Sequence, residues 1–537
     1  MAMKRKLSQR KKKWIERTVK NDRSYKSMLY NRFFIFLFSA LAQMIGLVII
    51  ALLLVYNSRW AFILQTLVTI AALGFTLYVL NRHDRPSTRM NWVILILALP
   101  VFGVPMYLFN GGGRPTRKMH KKIVRIQKEH AEQVREFYGK YQPIQSQERA
   151  DGIARYMEKY ARYPVFFDGS VDYYRSGEEM FPVMLDELKK AEKYILVEYF
   201  IIAHGKMWNE ILKILLEKAE QGVQVRIIYD DFGCMLNLPP RYDEYLETLS
   251  PNIRCMTFND VVPVFAVRMN NRDHRKILVV DGKVAFTGGI NLADEYIAEK
   301  KRFGYWKDTG IRVTGNSVSS FVLMFFYLWN AFYFRKEDIR KYLLPYTPTE
   351  NTAENTCLRI LPYDDSPLDR ISVGETVYSD MIHRAARYVY VFTPYLILDD
   401  FMRSALCQAA MRGVDVRIVT PGIPDKKMTY RLTRANYQTL IKAGVKIYEY
   451  TPGFIHAKSM VCDDEYAVVG TINMDYRSLY LHFENAVYFS GCDAVLELKR
   501  DCEEVFAVSR QCSLQYPKRS VLGRFVDSIL RIFETLL

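Results

Sequence analysis

Two long apolar stretches dominate the hydrophobic pattern near the N-terminus. Residues 33–56 and 60–80 contain no charged side chain over 24 and 21 consecutive positions. A helix needs about 18–20 apolar residues to cross a bilayer. The pattern therefore predicts two transmembrane helices, with a helix buried in a large core as the alternative for each. The first stretch is too long for a signal peptide and no small-residue cleavage site follows it, so we expect a retained anchor.

A third apolar segment, residues 91–110, differs from the first two because Pro100, Gly103 and Pro105 interrupt its second half. Basic side chains lie on both flanks, within 82–89 and 114–125. The positive-inside rule places both flanks and the basic N-terminus in the cytoplasm. Two full spans, with the third segment at the cytoplasmic face, satisfy this rule, whereas three full spans would expel the most basic loop. We predict a multi-pass protein of the cell membrane whose remaining chain is cytoplasmic, and we favour two spans over three.

Beyond residue 165 the chain alternates strand patterns with helical patterns, and the alternation occurs twice. Residues 191–200 (AEKYILVEYF) match residues 385–394 (AARYVYVFTP) at an offset of 194. Residues 222–231 match residues 413–422 at an offset of 191. Strands that alternate with helices indicate layered α/β structure. The sequence predicts an α/β fold with two tandem halves.

The last stretch, residues 519–537, has an amphipathic helical pattern. Apolar residues recur every three to four positions from Val521, and Arg519, Arg524 and Arg531 lie off that face. The arginines, the position at the end of the chain and the predicted membrane anchor favour a helix that lies on a membrane surface. A helix that closes the core of the second half is the alternative.

These patterns divide the chain into seven segments. They are a basic N-terminus (1–32), a membrane region (33–113), a helical connector (114–165), a first α/β half (166–342), a linker rich in Thr, Pro and Asn (343–356), a second half (357–515) and an amphipathic helix (516–537).

The chain is strongly basic, with a formal net charge of +17. Residues 1–32 alone carry twelve Lys and Arg against Glu16 and Asp22, and they adjoin apolar sequence. A basic segment beside a membrane anchor is attracted to anionic head groups by about 1 kcal/mol per basic residue. Nucleic acid also suits such a charge, and a solvated tail is a further alternative. The position of the charge beside apolar segments favours anionic lipid.

One set of polar residues occurs twice at identical spacing. Each copy places a Lys two, an Asp seven, a Gly fourteen and an Asn seventeen residues after a His. The copies are His274, Lys276, Asp281, Gly288 and Asn291, and His456, Lys458, Asp463, Gly470 and Asn473. In a chain with eight His, about 0.12 matches to the His, basic and acidic positions are expected by chance. Two copies that also share Gly and Asn are not accidental.

These residue types suit chemistry on a phosphodiester. In a strand, His274 and Lys276 point to one face, as do His456 and Lys458. A Lys ammonium binds a phosphate oxygen, and an Asn amide donates to the same oxygens. Two histidines on opposite sides of a phosphorus atom can act as nucleophile and general acid. A metal site is disfavoured because protonated Lys is a poor ligand, and the chain has no CxxC pair and no His/Cys cluster with zinc spacing.

The duplicated set resembles the signature of the phospholipase D superfamily, HxKxxxxD followed by a Gly and an Asn. Further segments look like bacterial cardiolipin synthases, namely residues 92–110, 167–202, 303–315 and 470–478. The resemblance runs from about Met90 to the C-terminus. It implies two phospholipase D-like α/β sandwich halves packed as a pseudo-dimer behind the N-terminal transmembrane helices.

The resemblance also implies roles for individual residues in a metal-independent enzyme without a cofactor. The motif residues are His274, Lys276, Asp281, His456, Lys458 and Asp463, with both Asp in a supporting role. Asn291 and Asn473 would bind phosphate. Asp308 and Glu484 match the positions where similar enzymes place the carboxylate that orients a histidine, although each could also be a surface acid.

The activity that the resemblance implies is the transfer of a phosphatidyl group between two phosphatidylglycerol molecules, which gives cardiolipin and glycerol. His274 would be the nucleophile and His456 the general acid. The expected partners are phosphatidylglycerol and anionic membrane lipids, without nucleic acid, and the oligomeric state stays open. A phospholipase D-type hydrolase, or a transferase with another donor or acceptor, is the alternative, and a nucleic-acid phosphodiesterase ranks below it. A catalytically inactive scaffold is disfavoured because both motif copies are intact.

Overall fold

The structure is a computed structural model that describes most of the 537 residues. The described ranges are 61–82, 85–110, 114–138, 152–260, 270–346, 358–368 and 371–514, with a few isolated positions. The predicted basic N-terminus (1–32), most of the first predicted span (33–56), most of the linker (343–356) and nearly all of the C-terminal helix (516–537) lie outside the described residues.

Three helices precede the α/β part of the chain: α1 (Ala61–Leu80), α2 (Pro86–Ala98) and α3 (Pro100–Asn110). Pro86 lies at the first position of α2. A backbone N–H at this position would have no partner within the helix, so a proline costs no hydrogen bond there. The third apolar segment is divided at Pro100, which starts a new helix. Gly103 allows a close approach of α3 to α2, since a Cβ there would lie 2.6 Å from the carbonyl oxygen of Leu95.

Within the described ranges, no helix is long and apolar enough to cross a membrane. The predicted transmembrane spans therefore remain a prediction. The connector predicted over 114–165 contains the long helix α4 (Arg114–Tyr138). Ile123, Ile126 and His130 of α4 are buried, whereas most of its Lys and Arg side chains are exposed. Helix α4 thus packs against the α/β part through the apolar stripe of its amphipathic pattern.

The first half is built on a seven-stranded sheet. In spatial order the strands are β1 (Val171–Tyr174), β8 (Gly310–Thr314), β6 (Val284–Gly288), β5 (Lys276–Val280), β2 (Tyr194–Tyr199), β3 (Gln224–Asp230) and β4 (Ile253–Phe258). Strands β2, β3 and β4 are parallel, and the pairs from β2 outward through β5, β6 and β8 to β1 are antiparallel. Every residue of β2 and β5 is buried, as expected for central strands with both faces covered.

Helices cover both faces of this sheet. They are α5 (Gly152–Tyr156), α6 (Gly177–Lys190), α7 (Lys206–Glu220), α8 (Asp231–Cys234), α9 (Tyr242–Leu249) and α10 (Val318–Phe332). Side chains alternate between the two faces along β5: Ile277 and Val279 pack in the core that contains α10, whereas Leu278 and Val280 pack in the core that contains α6 and α7. The central strands are therefore held rigidly from both sides.

The second half repeats this arrangement on an eight-stranded sheet. In spatial order the strands are β19 (Ser509–Gln511), β13 (Lys446–Tyr450), β12 (Asp415–Pro421), β10 (Tyr388–Phe392), β15 (Ser459–Cys462), β16 (Tyr466–Gly470), β18 (Glu484–Ser490) and β9 (Arg359–Asp365). Its main helices are α11 (Val373–Arg384), α12 (Asp400–Met411), α13 (Lys427–Lys442), α14 (Tyr476–Tyr480) and α15 (Asp493–Ala507). The motif strands β5 and β15 occupy equivalent central places in the two sheets.

The two halves share one hydrophobic core, to which both sheets and α10 contribute. Two short main-chain pairings also join them. Strand β7 (Tyr305–Lys307) of the first half pairs in parallel with β14 (Gly453–Ile455) of the second, and Asp273 bridges to Phe483. The predicted α/β fold with two tandem halves is confirmed, and the motif residues lie where the halves meet.

Candidate active site

The two motif histidines are each fixed by the opposite half of the chain. His274 lies two residues before β5, and its backbone N–H donates to the carbonyl oxygen of Phe483 at 2.8 Å. His456 follows β14, and its backbone N–H donates to the carbonyl oxygen of Lys307 at 2.7 Å. Each histidine is therefore held by a main-chain hydrogen bond that forms only when the halves pack together.

The orienting carboxylates are exchanged between the halves. Nδ1 of His274 lies 2.9 Å and 3.0 Å from the two carboxylate oxygens of Glu484. Nδ1 of His456 lies 2.7 Å from Oδ2 of Asp308. An imidazole whose Nδ1–H donates to a carboxylate keeps the Nε2 lone pair free to react. The structure thus brings both predicted acids to the histidines, each to the histidine of the other half.

Burial keeps both histidines neutral. It lowers the pKa of His274 well below its usual range, against the attraction of Glu484. Burial, with the nearby Lys458 ammonium, also lowers the pKa of His456 to about 4. Burial favours the protonated acids, but His274 and His456 hold the pKa values of Glu484 and Asp308 below their usual range. The site therefore contains two ionised carboxylates and two unprotonated imidazoles at neutral pH.

The two motif lysines are completely buried and close to each other. Burial, together with the charge of the other lysine, lowers the pKa of Lys276 to about 7. Burial lowers the pKa of Lys458 to about 8. Nζ of Lys276 donates to the carbonyl oxygen of His274 at 2.5 Å, and Lys458 makes the same contact with His456. An anionic phosphate between the two ammonium groups would compensate for the water they have lost.

The two motif asparagines have different surroundings. Asn291 accepts from the backbone N–H of Ile201 at 3.1 Å and donates its amide to the hydroxyl of Tyr296 at 2.7 Å. Asn473 is buried, and within the described part of the chain its Oδ1 has no hydrogen-bond partner. Turning Asn473 toward a ligand would break no described hydrogen bond of its Oδ1, whereas Asn291 reaches a ligand only by releasing Tyr296.

The two motif aspartates lie at the far ends of the motif strands, away from the histidines. Asp281 accepts three backbone N–H groups, those of Glu192, Lys193 and Tyr194. Asp463 accepts the equivalent three, those of Ala386, Arg387 and Tyr388. Each carboxylate joins its motif strand to the start of the neighbouring antiparallel strand, β2 or β10. Their geometry supports the site by fixing strands rather than by contact with a substrate.

Several side chains at the histidines were not found from the sequence. Nδ1 of His482 lies 3.5 Å from Glu484, and its ring centre lies 5.5 Å from that of His274. Thr471 donates its hydroxyl to Glu484. Beside His456, the ring centres of Trp306 and Phe454 lie at 5.6 Å and 5.9 Å. An alignment of WKD (306–308) with HFE (482–484) shows that Trp306 and His482 hold equivalent places, two residues before each carboxylate.

One cluster has the composition of a metal site. Potential ligand atoms of His274, His482 and Glu484 lie within 4.8 Å of one another. The carboxylate already accepts from His274 and Thr471, and the Lys276 ammonium lies close enough to affect the pKa of His274. A second cation is unfavourable beside this charge. We interpret the cluster as part of an anion-binding site, in which Glu484 accepts hydrogen bonds from His274 and Thr471 and His482 lies 3.5 Å away.

Two α/β halves that meet at duplicated HxKxxxxD motifs define a protein of the phospholipase D class. The solved structure of the phosphatidylserine synthase of Haemophilus influenzae Rd KW20 has this fold. It matches with a TM-score of 0.54 at 16% sequence identity, and covers 72% of this chain and 100% of that one. Residues 184–301 and 378–506 match the family model described as "Cardiolipin synthase, PLD-like domain", so each matched segment contains one motif copy.

Full-length relatives extend this match. A cardiolipin synthase of Alkalihalophilus pseudofirmus is 33% identical over 477 residues, which is 87% of this chain and 92% of the relative. An uncharacterised protein of Streptococcus mutans is 41% identical over 470 residues, which is 87% of this chain and 100% of the relative. The chain belongs to the cardiolipin synthase family of phospholipase D-like proteins, and it is a phosphatidyltransferase of that family.

Proposed function

We propose that this protein is a cardiolipin synthase that uses phosphatidylglycerol both as donor and as acceptor. One observation carries the proposal: two buried histidines, each held by a carboxylate of the other half, meet beside two buried lysines. This arrangement supplies two separate proton-handling imidazoles and two cations for a single phosphodiester. The family relatives named cardiolipin synthase supply the substrate class.

In the first step, Nε2 of His274 attacks the phosphorus of one phosphatidylglycerol. A phosphorus–nitrogen bond forms, and the bond from phosphorus to the glycerol oxygen breaks. His456 transfers its proton to that oxygen, and free glycerol leaves. The charges of Lys276 and Lys458, with the Asn473 amide, stabilise the negative charge that develops on the phosphoryl oxygens. Because the substrate is an anion, its binding raises the pKa of His456 and so allows the proton to be taken up.

In the second step, His456 accepts the proton of a glycerol hydroxyl on a second phosphatidylglycerol. The hydroxyl oxygen attacks the phosphohistidine, the phosphorus–nitrogen bond breaks, and cardiolipin is released. His274 regains its lone pair and His456 its proton, so the cycle closes with no net consumption of protons. The same histidine acts first as an acid and then as a base, as reversibility of the pathway requires.

The exposed apolar surface of the N-terminal helix α1 supports a lipid substrate. Side chains of Leu67, Ile70, Leu73 and Leu77 on α1 are more than half exposed. Apolar surface of this kind is unfavourable in water and favourable against acyl chains. We propose that α1 lies in the cell membrane and that α2, α3 and the catalytic halves lie at its cytoplasmic face, in contact with phosphatidylglycerol and other anionic lipids.

The test is product analysis with the purified full chain and vesicles that contain phosphatidylglycerol. We expect cardiolipin and glycerol in equal amounts, by mass spectrometry and a glycerol assay. Phosphatidic acid as the main product would indicate a hydrolase, and cardiolipin formed only after addition of another phospholipid would indicate a different donor. The His274→Ala and His456→Ala variants serve as controls and should give no product.

A further inference from the structure

The two catalytic histidines differ at one mirrored position. His482 and Trp306 hold equivalent places in the halves, each two residues before an orienting carboxylate. His482 stands beside His274 with ring centres 5.5 Å apart. Trp306 stands beside His456 with ring centres 5.6 Å apart. The duplicated motif is thus symmetric, whereas the side chains that pack on its two histidines are an imidazole in one half and an indole in the other.

The difference changes how each carboxylate is used. Glu484 accepts hydrogen bonds from His274 at 2.9 Å and from the Thr471 hydroxyl, and Nδ1 of His482 lies 3.5 Å from it without forming a hydrogen bond among the described residues. Asp308 is in contact with His456 at 2.7 Å and accepts the backbone N–H of Thr309 at 2.8 Å. His456 is surrounded by aromatic rings that place no second titratable donor on Asp308 within the described contacts. Glu484 is therefore a shared carboxylate, and Asp308 serves one imidazole.

We propose that His482 is a positioning residue that shares Glu484 with His274 and thereby makes His274 the nucleophile and His456 the acid. The proposal rests on the proposed function for the division of labour between the two histidines. The structure assigns each role because a carboxylate whose charge is divided between two imidazoles stabilises either imidazolium less than a carboxylate that faces a single imidazole does. The imidazole that must attack with a free lone pair is the one beside the divided charge.

The charged groups near His274 both raise and lower its pKa. The charged groups around His274, His482 and Glu484 are Lys276, Lys458, Asp475, Arg477 and Asp273. Lys276 and His482 both lower the pKa of His274, in addition to its burial. Replacing His482 removes one of these contributions while the lysines stay in place.

The test compares His482→Leu with His482→Asn in the purified full chain. Leu and Asn are similar in size, and the Asn amide nitrogen is attached to Cγ, as Nδ1 of His482 is. Asn therefore keeps a donor toward Glu484, and Leu does not. We expect the acid limb of the pH profile of kcat/KM to move up by about one pH unit in His482→Leu, because His274 then binds its proton more tightly. In His482→Asn the limb should stay near that of the natural protein.

The substrate for this profile is bis(4-nitrophenyl) phosphate, a soluble phosphodiester that needs no lipid. If the natural protein makes no cardiolipin, the proposed function is wrong, but the pH profiles can still be interpreted. If it makes cardiolipin and the acid limb does not move in His482→Leu, this inference alone is wrong. An equal shift in Leu and Asn variants, or a shift to lower pH, would also overturn it. If His482→Leu does not fold, ¹³C-histidine NMR of the natural protein decides: His274 should titrate below His456, and the reverse order contradicts the proposal.

Discussion

At the residue scale, each catalytic histidine depends on an acid that lies far away in the sequence. His274 and Glu484 are separated by 210 positions, and His456 and Asp308 by 148. Both acids are completely buried and ionised because a histidine and nearby lysines offset the cost of removing them from water. The loss of one acid should therefore disable a histidine whose own sequence neighbourhood is untouched.

Glu484→Gln tests this dependence. The amide keeps the size of the side chain but removes the charge that holds the Nδ1 proton of His274. We expect kcat on phosphatidylglycerol vesicles to fall by about 10²-fold or more with little change in the melting temperature. Glu465→Gln, at the exposed turn before β16, is the matched control and should leave kcat unchanged. Turnover near that of the natural protein would show that Glu484 is dispensable.

The pKa values of the two motif lysines predict an affinity for anions that depends on pH. Lys276 and Lys458 have pKa values of about 7 and about 8, so both gain positive charge as the pH falls through that window. Sulfate stays a dianion between pH 6 and pH 9. By linkage, its binding should tighten about tenfold or more from pH 9 to pH 6, as measured by calorimetry. Lys276→Met should reduce this slope, and an affinity independent of pH would contradict the assignment.

At the element scale, the motif aspartates and Arg85 fix how strands and helices meet. Asp281 and Asp463 each bind three backbone N–H groups at the start of a parallel strand. Arg85, just before α2, reaches the second half. It donates to Ser372 at 2.5 Å and to Glu375 at 3.1 Å, and its guanidinium lies 3.4 Å from the ring centre of Tyr480. Tyr480 ends α14, which lies between Asn473 and Glu484 in the chain.

Asp463→Ala should destabilise the fold rather than the chemistry. It leaves three N–H groups without their acceptor, at a cost of about 3 kcal/mol in the free energy of unfolding. Denaturant unfolding measures this cost, and the fraction that remains folded should turn over substrate at nearly the normal rate. Asp400→Ala, an exposed acid in the first turn of α12, is the control. Unchanged stability with lost activity would assign Asp463 a direct role.

Arg85→Ala should loosen α14 without unfolding the halves. We expect faster amide hydrogen exchange over residues 476–480, because the cation, the ion pair with Glu375 and the contact with Tyr480 are lost together. The charge-swapped pair Arg85→Glu with Glu375→Arg should restore part of the protection. Exchange that is equal in Arg85→Ala and the natural protein would show that this contact does not order α14.

At the scale of the whole molecule, the two halves behave as one folding unit around one site. Arg275, buried between the catalytic residues of the first motif, pairs with Glu198 at 2.5 Å in its own half and with Asp364 at 3.4 Å in the other. Together with the shared core and the β7–β14 pairing, this ion network fixes the halves relative to each other. Neither half contains a complete histidine–carboxylate pair by itself.

The orientation of the molecule in the membrane is open to direct measurement. Lys118 is exposed on α4, next to the predicted membrane region. Because the basic flanks favour the cytoplasmic side, Lys118→Cys in intact cells should not react with an impermeant maleimide until the membrane is disrupted. Labelling before disruption would contradict the topology with two spans.

The sequence by itself determined the class of chemistry and the plan of the fold. The spacing of His, Lys, Asp and Asn is a local property of two strands, so two copies at one spacing predict two equivalent halves of one site of phosphate chemistry. The alternation of buried strands with amphipathic helices likewise depends only on neighbouring residues, and it predicts the α/β halves. The two acids, Asp308 and Glu484, are predicted by the resemblance to similar enzymes.

Only the tertiary structure decided which acid serves which histidine. The exchange depends on the β7–β14 pairing and on the bridge from Asp273 to Phe483, both of which cross between the halves. Such contacts join residues more than a hundred positions apart, and no periodicity in one strand encodes them. For the same reason the place of His482 beside His274 emerges only when the halves are packed together. Local patterns determine which residues each strand contains, and packing between the halves determines which contacts each side chain makes.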